Sequence, residues 1–206
     1  MRRVYTAHMT AASRHAPVPR RAGGERPLRL FLALWPDEAT AASLEDWTRA
    51  LLPRCGGRAM RRDTLHLTLA FLGPTGAARA RELAGALGAW RAESGSFAVV
   101  RAGRFNRLRL VWAGPHEHGP DADRLARLHA SLWDWLAPMG WRPELPFRPH
   151  VTLLRDAGPP PPDFSPGPVA WRYDRVALAA SVAEPAGPAR YRILATSLGG
   201  RPGPSR

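Results

Sequence analysis

Two short stretches carry the same pattern of reactive side chains. TLHLTLAFLG spans residues 64 to 73 and PHVTLLRD spans 149 to 156, so His66 with Thr68 and His150 with Thr152 each read His, apolar, Thr. Side chains alternate along a strand, which sets His66 and Thr68 on one face and Leu65, Leu67, Leu69 and Phe71 on the other. The same parity joins His150 to Thr152, opposite Val151 and Leu153. A single histidine in an apolar strand is ordinarily a satisfied core residue, but repetition with threonine at the same offset argues for chemistry. In-line displacement at phosphorus needs a base that takes a proton from water and an acid on the far side that protonates the departing oxygen. Imidazole, with an ordinary pKa of about 6.5, fills either role near neutrality. Threonine hydroxyls can donate to the non-bridging oxygens, with an arginine sharing that task. Such a reaction calls for no metal and no cofactor.

The elements that must hold these groups are legible from periodicity. A strand over 28–35 (LRLFLALW) leads through Pro36 to Asp37, a helix N-cap, and to a helix with Leu44, Trp47 and Leu51 on one face, ended by Pro53, Gly56 and Gly57. The strand at 64–72 is followed by a Gly73-Pro74 turn and a helix from Thr75 carrying Leu83, Leu87 and Trp90. Strands near 96–103 and 108–114 come next, joined by a loop with Arg104, Asn106 and Arg107. A third helix near 121–137 shows Leu125, Leu128, Leu132 and Leu136 at helical spacing and stops before Pro138 and Gly140. After the strand at 150–155 the proline-rich segment 157–168 crosses the surface, and strands near 171–182 and 190–198 close the chain. Each half thus reads as helix, connector, then a strand bearing His-x-Thr. This weak internal repeat implies a pseudo-twofold α+β body with a cleft at the junction of its halves.

Composition narrows the function class. The 206 residues suffice for one ordinary domain with a sizeable core. All 30 basic residues are arginine, and with 19 glycines and 22 prolines this points to biased codon composition, which discounts the net charge of +13 as a sign of nucleic-acid binding. Residues 1–26 hold six arginines and one glutamate, so +8 remains on the body, which favours an anionic substrate such as phosphate or RNA. Residues 1–26 read as a disordered basic tail, 27–200 as the domain and 201–206 as a C-terminal tail. Cys55 is the only cysteine, which excludes an internal disulfide and suits a reducing cytoplasm. No secretory signal or membrane-length apolar run is evident, and nothing points to an obligate protein partner.

RLFLALWP, DTLHLTLAFLG, RLVWAG, FRPHVTLLRD, YDRVALAAS and RYRILATSLG occur in that order between Pro27 and Gly200. In these segments the sequence resembles the two-histidine phosphoesterase superfamily, and within it the RNA 2',3'-cyclic phosphodiesterases, also called 2'-5' RNA ligases. The resemblance implies a bilobal α+β fold: two pseudo-symmetric lobes of antiparallel sheet, helices packed outside, and both histidines in a central cleft. It implies opening of a ribose 2',3'-cyclic phosphate at its 3' bond to leave a 2'-phosphate, with 2'-5' joining of RNA ends as the reverse activity. His66 is then the acid for the 3' oxygen and His150 the base for water, with Thr68 and Thr152 binding the phosphate. Five positions beyond each histidine stand Phe71 and Arg155, which the resemblance assigns to base stacking and to the phosphate or its surroundings. Strand parity objects to both, since an odd offset points away from the histidine unless the strand twists or ends. For Phe71 a core role competes, whereas Arg155, followed by Asp156, stands where the strand leaves the sheet.

Two other readings stay open: a phosphoesterase for another small cyclic phosphate or nucleotide, and a non-catalytic module that binds RNA ends. The His-Glu-His run at 116–118 lies in a Gly-Pro loop without a further ligand nearby and reads as a solvated turn. His129 follows the helical period and is structural, and Trp112, Trp133, Trp135 and Trp171 fall at core spacing.

Overall fold

A computed structural model describes residues 27–143, 145–182 and 190–200. The expected tails at 1–26 and 201–206 lie outside the described residues. β1 (Leu28–Leu34), β2 (Arg58–Ala59), β3 (Leu67–Thr75), β5 (Arg101–Phe105), β6 (Leu110–Gly114), β7 (Val151–Arg155), β9 (Ala177–Val182) and β10 (Arg190–Thr196) form one sheet in the order β10-β9-β1-β3-β7-β6-β5. β2 also pairs with β7, and β4 (Gly95–Val99) pairs with β8 (Val169–Tyr173) in a separate ribbon. All of these strand pairs are antiparallel, so the α+β antiparallel class is the one observed. The two halves of the sheet meet at a single register pair, Leu67 with Val151. Beyond that point β3 and β7 part, and β2 lies along the other end of β7, opposite Leu154 and Arg155.

Three amphipathic helices cover one face. In α1 (Glu38–Cys55) Asp37 caps the N-terminus, accepting from the Thr40 backbone N–H at 2.8 Å, and Leu44, Trp47 and Leu51 are buried. Pro53 does not end this helix but sits in its last turn, and Gly56 at φ 63° closes it. α2 (Ala77–Ala89) buries Ala80, Leu83 and Leu87, and α3 (Pro120–Leu136) buries Leu125, Leu128, Leu132, Trp133 and Leu136. Each large apolar side chain so removed from water contributes about 1.5–3 kcal/mol. α1 packs on β7 and β8 while α3 packs on β3 and β4, so each helix covers the histidine strand of the other half. That exchange ties the halves into one core. No helix among the described residues is long and apolar enough to cross a membrane.

Several boundaries differ from the sequence expectations, each for a non-local reason. The expected strand at 64–72 begins only at Leu67, after a 3-10 turn over Arg62–Thr64, and runs through Gly73 and Pro74 because β1 pairs alongside as far as Thr75. α2 is capped by Gly76, not Thr75. The run expected as one strand at 96–103 breaks at Val100, since β4 pairs with β8 while β5 pairs with β6. The run at 171–182 divides in the same way into β8 and β9.

Candidate active site

The face of the sheet away from the helices carries a cleft of about 880 Å³ where β3 and β7 part. His66, Thr68, Phe71, His150, Thr152 and Arg155 all line it. Alternation accounts for the first two residues of each motif: Leu65 and Leu67 are buried in the core with Val151 and Leu153, while His66, Thr68 and Thr152 remain partly accessible on the other side.

Phe71 and Arg155 reach the same face through two equivalent irregularities. Pairing of β1 with β3 passes from Ala33 opposite Thr68 to Leu32 opposite Ala70, which leaves Leu69 as an extra residue. Pairing of β6 with β7 passes from Trp112 opposite Thr152 to Val111 opposite Leu154, which leaves Leu153 extra. A bulge of this kind resets the alternation by one residue. Leu69 and Ala70 are both buried, as are Leu153 and Leu154, and the offset-five residues emerge on the histidine side. Phe71 is 53% exposed, with the Arg29 guanidinium 5.6 Å from its ring centroid, so the core reading does not describe it.

The imidazoles are held alike. His66 Nδ1 lies 2.7 Å from the Thr64 carbonyl oxygen and His150 Nδ1 lies 2.7 Å from the Arg148 carbonyl oxygen, two residues upstream in each case. A carbonyl only accepts, so Nδ1–H is the donor and Nε2 of the neutral ring carries the lone pair. Neither threonine hydroxyl of the pair is hydrogen-bonded to another described residue, which leaves both able to serve a ligand.

Their surroundings differ. His66 stacks on Trp35 at 5.1 Å and 19°, lies 4.9 Å from the Phe31 ring and meets Tyr191 edge-on at 5.0 Å. Among the described residues His150 has one such neighbour, Phe105, edge-on at 4.9 Å. Burial pushes the His66 imidazolium down from 6.5 to about 4; the Thr64 hydrogen bond opposes this, and charge on His150 and Arg155 adds to it. Burial also lowers His150, against the hydrogen bond it donates to the Arg148 carbonyl. Both rings are therefore neutral in the free protein near pH 7.

Sequence reasoning passed over Trp35, Tyr191 and Phe31, because their contacts with His66 arise from strand pairing across the chain. It also passed over Arg58, which lines the cleft from β2. His116 and Glu117 line a separate cavity of about 380 Å³ beside His150, Glu117 is bound by Arg101 at 2.7 Å, and no cluster of three metal-ligating side chains forms among the described residues. His129 accepts from Trp133 Nε1 at 2.9 Å and stacks on Phe147 at 4.1 Å, a packing role.

Residues 35–182 match the model of the 2'-5' RNA ligase superfamily. The chain is 34% identical over 152 residues to the RNA 2',3'-cyclic phosphodiesterase of Escherichia coli strain K12, covering 71% of this chain and 82% of that protein. To the protein of the same name in Thermotoga maritima it is 30% identical over 183 residues, covering 81% and 93%. The crystal structure of E. coli LigT complexed with 3'-AMP superposes with a TM-score of 0.67 at 32% identity, covering 82% of this chain and 97% of that one.

Proposed function

The chain belongs to the 2'-5' RNA ligase superfamily, and from that premise we propose that it hydrolyses RNA 2',3'-cyclic phosphate ends to 2'-phosphomonoesters by metal-independent acid–base catalysis. One observation carries the reading: two imidazoles in one cleft, each with Nδ1–H tied to the carbonyl two residues before it and each accompanied by a threonine hydroxyl on the same face. The names of the relatives at 34% and 30% identity support the choice of ester.

In this mechanism His150 Nε2 takes a proton from water as the water oxygen bonds to phosphorus. The bond from phosphorus to the 3' oxygen breaks on the opposite side, and His66 delivers a proton to that oxygen. Thr68 and Thr152 donate to the non-bridging oxygens, where charge grows, and Arg155 adds positive charge beside them. Each proton transfer is worth about 100-fold to 10,000-fold in rate. A 5'-hydroxyl in the place of water would give a 2'-5' linkage. Burial disfavours charge on His66 in the free protein, so its proton is held only once the anionic phosphate supplies the countercharge.

The test is incubation of adenosine 2',3'-cyclic phosphate with excess chelator, followed by chromatographic identification of the product. Adenosine 2'-monophosphate is expected. A 3'-monophosphate, strict dependence on added metal, or binding without turnover would each overturn the proposal.

A further inference from the structure

We propose that the rings of Trp35 and Phe31 hold the protonated imidazole of His66 in place of a carboxylate, which makes Trp35 a positioning residue for the acid step. The inference rests on the proposed reaction and concerns how its acid keeps a proton in a cleft without acidic side chains.

A histidine that must carry a proton is ordinarily supported by a neighbouring carboxylate. His66 has none, since among the described residues no Asp or Glu lines the cleft. The charged and titratable groups that do face it are Arg29 of β1, Arg58 of β2, Arg61 after β2, His150 and Arg155 at the two ends of β7, and Tyr191 of β10. Arg61 is paired with Asp63, and the others are cationic or neutral, so they offer an imidazolium no countercharge. What the protein places against His66 is the Thr64 carbonyl and three aromatic rings.

The strands give these rings a definite arrangement. Alternation along β1 sets Phe31 and Ala33 on one face, and Trp35, one residue past the strand, joins the same cluster. Ala33 stands between the two rings, with Ala177 opposite it and Ala179 opposite Phe31 on β9, and these small side chains leave the rings room to approach each other. Their centroids are 6.0 Å apart, while that of His66 is 5.1 Å from Trp35 and 4.9 Å from Phe31. Rings centred on opposite faces of the imidazole would be separated by nearly twice those distances. Trp35 and Phe31 therefore adjoin each other, and the imidazole meets both. Trp35 is the more nearly parallel, at 19° against 35° for Phe31, and Tyr191 stands edge-on at 84°.

The face of an aromatic ring is the negative end of its quadrupole, so it attracts an imidazolium more than a neutral imidazole. Tryptophan is the strongest side chain in this respect, and exclusion of water strengthens the attraction. The ring pair thus favours the protonated form against the desolvation that keeps free His66 neutral, and lessens what the bound phosphate must supply. His150 begins the reaction neutral, as the base, and among the described residues no ring lies parallel to its own: Phe105 meets it at 88°. The half-site that must hold a proton at the outset is the one with the stacked ring.

The experiment reads the proton on His66 directly. In the complex with adenosine 2'-monophosphate, the ring-proton resonances of His66, identified by their loss in His66→Asn, are followed by NMR against pH. Trp35→Leu keeps apolar bulk and removes the aromatic face, so the titration midpoint should fall by about 0.4 to 1.5 pH units, a loss of about 2-fold to 30-fold in proton affinity. Trp35→Phe should lie between Trp35→Leu and wild type, and the His150 midpoint should move less. An unchanged midpoint in Trp35→Leu would overturn the inference by leaving Trp35 a packing residue only. A raised midpoint would overturn it by showing that Trp35 acts through desolvation alone. Should Trp35→Leu fail to fold, uniform 5-fluorotryptophan, which weakens the negative face with little change of shape, decides instead: the wild-type midpoint should fall and that of Trp35→Phe should not, and equal behaviour of the two would refute the role. The titration requires no turnover. A wild type that leaves adenosine 2',3'-cyclic phosphate intact therefore removes the proposed reaction, while the midpoints still decide what Trp35 does for His66.

Discussion

Binding of the product should draw a proton onto His66, by an amount that follows from its surroundings. Burial among Trp35, Phe31 and Tyr191 sets its pKa at about 4 in the free protein. At pH 7.5 the free ring is then protonated in about one molecule in 3,000. Holding the proton in the complex at that pH requires a rise of about 3.5, or about 5 kcal/mol of attraction. A unit charge pair 4 Å apart at an effective dielectric of 20 supplies about 4 kcal/mol, and a dianionic phosphate up to about twice that, so the phosphate is sufficient. The sign is fixed: the complex binds more protons than the separated partners, so affinity rises as pH falls, by up to about tenfold per unit between the free pKa of about 4 and the pKa of the complex, and levels off above the latter. Adenosine 2'-monophosphate at pH 7.5 is already dianionic, its second pKa being near 6, so titration of the ligand contributes little. Calorimetry in buffers of differing ionisation enthalpy should give an uptake approaching one proton for wild type and a much smaller value for His66→Asn. No uptake in wild type would refute the electrostatic reasoning. Uptake that persists in His66→Asn and disappears in His150→Asn would reverse the acid and base assignments.

Three further outcomes follow from the same geometry. His66→Ala or His150→Ala should each lower kcat/KM on adenosine 2',3'-cyclic phosphate by about 100-fold to 10,000-fold while product binding is retained; wild-type rates in both would remove the catalytic assignment. Phe71→Ala should leave the thermal midpoint nearly unchanged, because the ring is 53% exposed, and raise KM by roughly 5-fold to 100-fold if a base stacks there; an unchanged KM would mean that no base does. Gly57→Ala should destabilise the fold by more than about 1 kcal/mol in urea unfolding, from its φ of +84° and the collision with the Arg155 carbonyl, and a neutral effect would show that β2 is not held on β7.

The features that could be read from the chain are those that depend on neighbours in sequence. The Asp37 cap and the buried leucines of α1 and α3 follow from helical spacing, and the shared face of His66 with Thr68, and of His150 with Thr152, follows from strand alternation. Alternation then fails at Leu69 and Leu153, because each bulge is a property of a strand pair and not of one strand. The parity objection to Phe71 and Arg155 was a correct deduction from an ideal strand, and the bulges remove its premise. The breaks at Val100 and between Tyr173 and Ala177 are equally invisible locally, since each marks a change of partner sheet. The aromatic ring around His66 draws on Phe31, Trp35 and Tyr191, residues that only the β3-β1-β9-β10 pairing brings together.

Repetition and difference within the cleft have separate consequences. What repeats is positional: a carbonyl two residues before each histidine, a threonine two after it, and a bulged leucine after the threonine. Those devices leave Nε2 of each ring with its lone pair free, which is what the proposed displacement at phosphorus needs from both sides. What differs is the company of each half. Among the described residues, one half ends in an exposed aromatic ring and encloses its imidazole in three others, while the other ends in an arginine facing a second arginine and gives its imidazole a single aromatic neighbour. A symmetric pair of acid–base groups cannot tell one side of a cyclic phosphate from the other. In the proposed mechanism the asymmetric flanks can, because a base suits the exposed Phe71 ring at one end only, and a nucleoside stacked there has one way to present its 3' oxygen.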